Sequence, residues 1–151
     1  MMSFSFHFPN IKFMKKIIIG IDISSKTLDI CVKKGHEVKH SIIENEVKAI
    51  KAFFKRHAKE EVIVAMENTG RYNWNLFEVL PGLSFKVYVI PPLHLKKSLG
   101  LVRGKNDKID ALRICSFIEK NSEETLLWKP TSVAVKRLKI LLTERNSRIK
   151  M

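Results

Sequence analysis

The amino-acid sequence predicts an α/β fold with a mixed five-stranded sheet and flanking helices. Short β-branched runs alternate along the chain with segments whose apolar residues recur at helical spacing. The composition is 45% hydrophobic over 151 residues, which is enough to bury one ordinary core and excludes a wholly disordered chain.

Three hairpin-linked strands are predicted to open the domain. They are β-branched or alternate between apolar and polar residues, and they cover residues 16–23, 28–33 and 37–43. Gly35 supplies the second turn. A helix over residues 45–57 follows, because its apolar residues recur at helical spacing and Asn45 is a suitable cap.

The second half of the domain is predicted to alternate strands and helices. In order, the elements are a strand over residues 61–66, a helix over 72–80, a strand over 85–90 and a helix over 107–119. A basic loop precedes the last helix and contains Lys96, Lys97, Arg103 and Lys105. The order β-β-β-α-β-α-β-α resembles that of the ribonuclease-H-like fold.

The ends of the chain are expected to differ from this domain, which spans residues 15–130. Residues 1–14 look like a disordered or misassigned extension, because Met14 and the lysines after it resemble a translation start and no signal-peptide pattern precedes them. Residues 131–151 are expected to begin a basic helical linker whose second domain is absent. Its apolar stripe is expected to pack against a partner helix. The stripe comprises Val133, Leu138, Leu141, Leu142 and Ile149.

The charge balance points to a polyanionic partner. Lys and Arg number 28 against 15 Asp and Glu, and the formal net charge is +13. Nucleic acid is the expected partner, since phosphates release counterions on meeting such a surface. No membrane partner is expected, because no stretch approaches the roughly 20 apolar residues of a span. The residues expected to contact nucleic acid are Lys96, Lys97, Arg103, Lys105, Lys136, Arg137 and Lys139.

Cysteine and histidine usage excludes two further classes. Cys31 and Cys115 are isolated in apolar runs, so we expect small reduced core residues in a soluble cytoplasmic protein rather than a disulfide framework. The 5 histidines lack zinc-ligand spacing, so no zinc site is expected.

Four carboxylates are the candidate catalytic and metal-binding residues. Asp22 and Glu67 end the first and fourth predicted strands, which are neighbours in this fold. Asp107 and Asp110 are three residues apart and share one helix face. Like charges so close repel, and a divalent cation relieves the repulsion. Mg²⁺, or Mn²⁺ in its place, prefers such oxygen ligands and bridges to substrate phosphate.

Each acid also has an ordinary structural explanation. Asp22 is explained as a solvated strand end, and Glu67 as a cap of the following loop. Asp107 and Asp110 are explained as a helix N-cap and a first-turn acid. Their joint occurrence in a strongly basic chain favours the site.

Three motifs in this order carry a family resemblance. They are Gly20-Ile21-Asp22-Ile23-Ser24 with Lys26 and Leu28-Asp29, Glu67-Asn68-Thr69-Gly70 with Tyr72, and Lys105-Asn106-Asp107 with Asp110-Ala111. The chain resembles, from about residue 16 to 130, the amino-terminal domain of the DEDD transposases of the insertion-sequence-110 family. Asn106 stands where the family commonly has Thr, a change that leaves the metal ligands untouched.

The resemblance implies a RuvC-like domain whose Mg²⁺ ligands are Asp22, Glu67, Asp107 and Asp110. It also implies recombination of DNA guided by a structured RNA, by a homo-oligomer in the full-length form. The family completes its site with a serine from a second, carboxy-terminal domain, and no serine here can be assigned that role. We therefore expect the chain to be a truncated or decayed copy, or one part of an interrupted reading frame. Alone, it is expected to be inactive.

Three rival classes share part of this pattern. The Gly-x-Asp-x-Ser opening also resembles the first phosphate loop of actin-like kinases and ATPases, but the 6 scattered glycines provide no second loop. A Holliday-junction resolvase would share the four acids. A non-catalytic nucleic-acid-binding remnant is the strongest alternative, and a divalent-metal titration separates it from a nuclease.

Overall fold

The structure is a computed structural model that describes residues 16–99, 107–130 and 140–146. Its centre is a five-stranded sheet in the order β3-β2-β1-β4-β5. The strands are β1 (Ile17–Ile23), β2 (Thr27–Lys34), β3 (Glu37–Glu44), β4 (Val62–Glu67) and β5 (Lys86–Ile90). β1 pairs antiparallel with β2 and parallel with β4, so the sheet is mixed, as predicted.

The helices follow the predicted order with one addition. They are α1 (Val47–Lys55), α2 (Trp74–Val79), α3 (Pro92–Leu99) and α4 (Asp107–Asn121). Short 3-10 turns, Gly70–Asn73 and Leu80–Gly82, flank α2. The prediction of a loop through Lys96 and Lys97 is wrong, because both lie on α3. Pro91 follows the last residue of the strand, and Pro92 suits the first turn of a helix, where no amide hydrogen bond is needed.

The predicted cap of the first helix is also wrong. Glu46 occupies the cap position of α1 and makes no side-chain cap bond. The Asn45 amide is turned instead into the protein, where it donates to the carbonyl oxygens of Ser24 and Tyr72. A cap residue competes for its side chain with any nearby carbonyl, and here the tertiary partners win.

The two faces of the sheet are covered by different helices. α1 and α2 cover one face, with Ile19, Phe54 and Leu76 in the shared core. α4 covers the other face, where Ile114 and Ile118 join a second core. Strand side chains alternate between faces, so each residue of β1 and β4 can be assigned to the α1 side or the α4 side.

Gly20 is a point of close approach between α4 and the sheet. A Cβ atom at Gly20 would lie 2.4 Å from the carbonyl oxygen of Ala111 and 2.7 Å from the Sγ of Cys115. Glycine is therefore needed here for space rather than for backbone freedom. Cys115 and Cys31 are both buried free thiols, as predicted.

The segment after α4 returns to the edge strand β5. The backbone N–H of Trp128 donates to the carbonyl oxygen of Val87 over 2.7 Å, and the Trp128 ring stacks on Phe77 with 4.8 Å between centroids. Leu127 forms an isolated β-bridge with Tyr88. The predicted polar link is thus anchored to the sheet.

Little of the expected linker is described. Residues 140–146 are helical, and Leu141 and Leu142 are exposed there. The rest of the apolar stripe and residues 1–14 lie outside the described residues. In the part of the chain that the structure describes, no helix has the length and apolar character to cross a membrane.

Candidate active site

Asp22 and Glu67 lie side by side at one edge of the sheet. The parallel register of β1 and β4 pairs Ile21 with Met66, so the two acids are each one residue further along. Ile21 and Met66 belong to the core under α1 and α2. Because side chains alternate, Asp22 and Glu67 point to the opposite face, toward α4. Both are half-buried.

The first turn of α4 lies near the level of Asp22 on this face of the sheet. The Sγ of Cys115 is 3.8 Å from the carbonyl oxygen of Ile18, and Ala111 lies over Gly20. Two residues of a strand span about 6.6 Å, and four residues of a helix span about 6 Å. Each advance of two residues along β1 therefore corresponds to four residues toward the amino end of α4. The next step places residue 107 level with Asp22.

The two helix acids are described to different extents. Asp107 is the first residue of α4, but its side chain lies outside the described part of the structure. Asp110 precedes Ala111, is half-buried and accepts a hydrogen bond from the Arg113 guanidinium at 3.3 Å. Arg113 thereby orients one carboxylate oxygen and leaves the other to a different partner.

The structure adds Asp29, which belongs to the first sequence motif but was not predicted to lie in the site. β1 and β2 pair Asp22 directly with Asp29. Opposite residues of an antiparallel pair share a face, with Cβ atoms about 4.5–5.5 Å apart. The sequence feature that could have indicated this pairing is the tight turn after Ile23, because that turn fixes the register of β1 and β2. Three carboxylates on neighbouring strands therefore face the α4 side.

A groove continues from Asp29 across the outer strands. Its volume is about 370 Å³, and it is lined by Asp29, Ile30, His40, Ser41, Ile42 and Lys108. Partial desolvation and the positive charge of Lys108 hold the pKa of His40 below its ordinary value. Lys108, next to Asp107, thus places a positive charge beside the carboxylates.

A network of side-chain amides fixes the loops at the same edge. Asn45 donates to the carbonyl oxygens of Ser24 and Tyr72 at 2.9 and 3.1 Å. Asn73 is fully buried, accepts from the Thr69 amide at 2.7 Å and donates to the Glu67 carbonyl oxygen at 3.2 Å. The backbone around both strand-end acids is therefore held by buried hydrogen bonds, which are costly to break.

The predicted site residues are brought together only in part. The strand acids share one face and one level, and α4 packs on that face of the sheet. Among the described side chains, no group of three or more His, Cys, Asp or Glu residues is close enough to hold a metal ion. Lys96 and Lys97 are exposed on α3. Outside the described residues lie Arg103, Lys105, Lys136, Arg137 and Lys139.

Comparison with known proteins identifies both the family and the fold. The family model of the DEDD transposases of insertion-sequence-110 type, described as "Transposase", matches residues 19–151. A Thermus thermophilus RuvC structure in complex with a Holliday junction substrate is similar, with a TM-score of 0.56 and 16% identity over 75% of this chain and 99% of that one.

A second Thermus thermophilus RuvC structure matches with a TM-score of 0.56 and 17% identity, over 74% of this chain and 99% of that one. No curated protein matches the chain. The solved structures confirm the predicted ribonuclease-H-like, RuvC-like fold.

Proposed function

Since the chain belongs to the DEDD transposases of the insertion-sequence-110 family, we propose that it binds DNA and contributes a carboxylate metal site for strand cleavage and transfer in transposition. One observation carries the proposal: Asp22 and Glu67 lie level on one face of the sheet, the face that α4 covers. A structured guide RNA is the proposed second nucleic-acid partner.

The donor set fits Mg²⁺ or Mn²⁺. The strands offer Asp22 and Glu67, and the helix offers Asp107 and Asp110, so every proposed ligand atom is a carboxylate oxygen. Cysteine and histidine, which softer or borderline metals favour, are absent from this proposed set. When bound, the ions would activate the attacking oxygen and stabilise the leaving oxygen of a phosphodiester.

The protein's own groups have separate tasks in this proposal. The buried amide network holds the strand-end backbone, and Arg113 orients Asp110 through its 3.3 Å bond. Lys96 and Lys97 are exposed on α3 and are proposed to contact phosphates. The site would thus combine an acidic centre with basic surroundings, as cleavage of a polyanion by metal requires.

A metal titration tests the catalytic part of this proposal. Mg²⁺ or Mn²⁺ binds only the folded protein in this scheme, so either ion should raise the melting temperature of the wild type by mass action. Asp107→Asn with Asp110→Asn should abolish the rise. Glu123→Gln with Glu124→Gln is the matched control, since it removes two exposed acids from the turn after α4.

The alternative function is nucleic-acid binding without cleavage. Its supporting observation is that no metal-holding group of three is formed by the described side chains. In that case the wild type and the Asp107→Asn, Asp110→Asn variant should respond equally to metal. An equal response would rule out the nuclease proposal and leave binding as the function.

A further inference from the structure

Two exposed aromatic residues follow Glu67 closely in the sequence. The 3-10 turn Gly70–Asn73 begins three residues after Glu67, the last residue of β4. Tyr72 and Trp74 are 37% and 42% exposed. The other described Phe, Tyr and Trp residues are buried or half-buried. Two exposed rings next to a strand-end carboxylate therefore call for a functional explanation.

The backbone that carries Tyr72 and Trp74 is held by hydrogen bonds that do not involve their rings. Asn73 lies between Tyr72 and Trp74 in the sequence. It is fully buried and forms hydrogen bonds with the backbone of Thr69 and Glu67. The Tyr72 carbonyl oxygen accepts from Asn45, which also binds Ser24 at the end of β1. Because buried polar contacts fix the backbone, the rings are presented at a set distance from both strand ends.

The surroundings of the rings favour an anionic ligand with flat groups. The Arg71 guanidinium carbon lies 5.4 Å from the centre of the Tyr72 ring. Arg71 and Trp74 are three residues apart, a spacing that places them on one side of a helical turn. No acidic residue occurs from Asn68 to Asn75. A guanidinium that contacts one ring and lies on the same side of the turn as the other suits a nucleotide, whose base stacks and whose phosphate is attracted.

We propose that Arg71, Tyr72 and Trp74 form a stacking surface for unpaired bases of the nucleic acid at the Asp22 and Glu67 edge. The inference rests on the proposed function, because it requires a nucleic acid beside the carboxylates. Duplex DNA hides its base faces, so the surface selects strands that are locally unpaired. The surface would thereby hold an opened strand next to the acids.

The test compares two single strands that differ only in their bases. Binding of a labelled oligodeoxythymidine and of an abasic strand of equal length is measured by fluorescence anisotropy in EDTA, at one salt concentration. Tyr72→Ala and Trp74→Ala should each weaken oligodeoxythymidine binding about fivefold or more. Their affinity for the abasic strand should not change. Tyr72→Phe and Trp74→Phe keep a ring and should bind as the wild type does.

Two controls keep the outcome clear. Leu126→Ala removes an apolar side chain that is 88% exposed elsewhere on the surface, and it should leave both affinities unchanged. In the wild type, oligodeoxythymidine should quench tryptophan fluorescence and the abasic strand should not. This second measurement does not depend on the folding of any variant.

The outcomes separate this inference from the proposed function. If the wild type binds both strands and the alanine variants match it, the stacking surface is refuted while nucleic-acid binding stands. Equal losses on both strands would also refute stacking. If the wild type binds neither strand, the inference and the binding part of the proposed function fail together.

Discussion

Gly20 on β1 lies so close to Ala111 on α4 that a single added methyl group would meet the Ala111 carbonyl oxygen at 2.4 Å. This contact sets the height of the helix above the sheet. It also sets the height of the helix acids above Asp22, because Asp22 lies two residues beyond Gly20 on the same face.

Gly20→Ala is therefore expected to disturb both stability and the site. The backbone of α4 must move, since neither Ala111 nor the nearby Cys115 amide offers a flexible group that can yield. We expect the free energy of unfolding to fall by about 1–3 kcal/mol, as for an overpacked core, measured by urea denaturation. Gly82→Ala is the control, because a Cβ at Gly82 meets nothing within 4 Å. A stable Gly20→Ala variant would show that the helix can shift freely.

Asp29→Asn is expected to weaken metal binding without abolishing it. Asp29 is directly opposite Asp22, so its charge contributes to the potential at the proposed site. Loss of one negative charge a few ångströms from a divalent ion corresponds to about a tenfold weaker affinity, even in water. The midpoint of the Mg²⁺-dependent rise in melting temperature measures this. An unchanged midpoint would remove Asp29 from the electrostatics of the site.

Cys115 should make the fold sensitive to alkaline pH. Its hydrogen bond with Cys31 and its burial raise the pKa of the Cys115 thiol above the ordinary value of 9.0. The folded protein keeps this thiol protonated, whereas the unfolded chain ionises it. The contribution of Cys115 to stability is thus present below about pH 9 and lost at higher pH, whereas the same hydrogen bond lowers the pKa of Cys31 and acts in the opposite direction.

Comparison with Cys115→Ala isolates this effect from other titrations. The melting temperature of the wild type should fall more steeply between pH 8 and 10 than that of the variant. This pH range is chosen because the ordinary thiol pKa is 9.0. Parallel curves for the two proteins would show that the thiol does not contribute.

Binding of nucleic acid should depend steeply on salt. The formal net charge is +13, and each phosphate contact releases counterions from the nucleic acid. Neutralising Lys96 and Lys97 on α3, or Lys136, Arg137 and Lys139, should reduce the slope of log affinity against log salt by about one per lost contact. The slopes are measured by anisotropy over a salt series. A wild-type slope near zero would assign the positive charge to solubility alone.

The sheet was predictable because its strands are encoded locally. β-branched runs and alternation located all five strands to within one residue at each end, and Gly35 indeed adopts a positive φ of 61° in its turn. Asp22 and Glu67 could be identified as strand-end residues for the same reason. Their shared face then follows from the parallel register of β1 and β4.

The errors arose where tertiary contacts decide the local structure. Nothing local distinguishes Asn45 as a cap from Asn45 as a buried link between Ser24 and Tyr72. α3 is short and carries two lysines, so its segment resembles a basic loop in composition. Asp29 was missed because its importance depends on pairing with another strand, and hairpin register is set by the turn.

The return of the chain to β5 leaves the two edges of the sheet unequal. Trp128 and Leu127 bond to β5 and occupy part of its outer side, whereas β3 is the terminal strand in the described sheet order. A foreign strand that extended this sheet would therefore have to add at β3. There it would meet the exposed charged residues Glu37 and Lys39 beside the exposed apolar residues Val38 and Ile42. Charged edge residues oppose such pairing, so Glu37 and Lys39 are the residues of this edge that limit strand-to-strand aggregation.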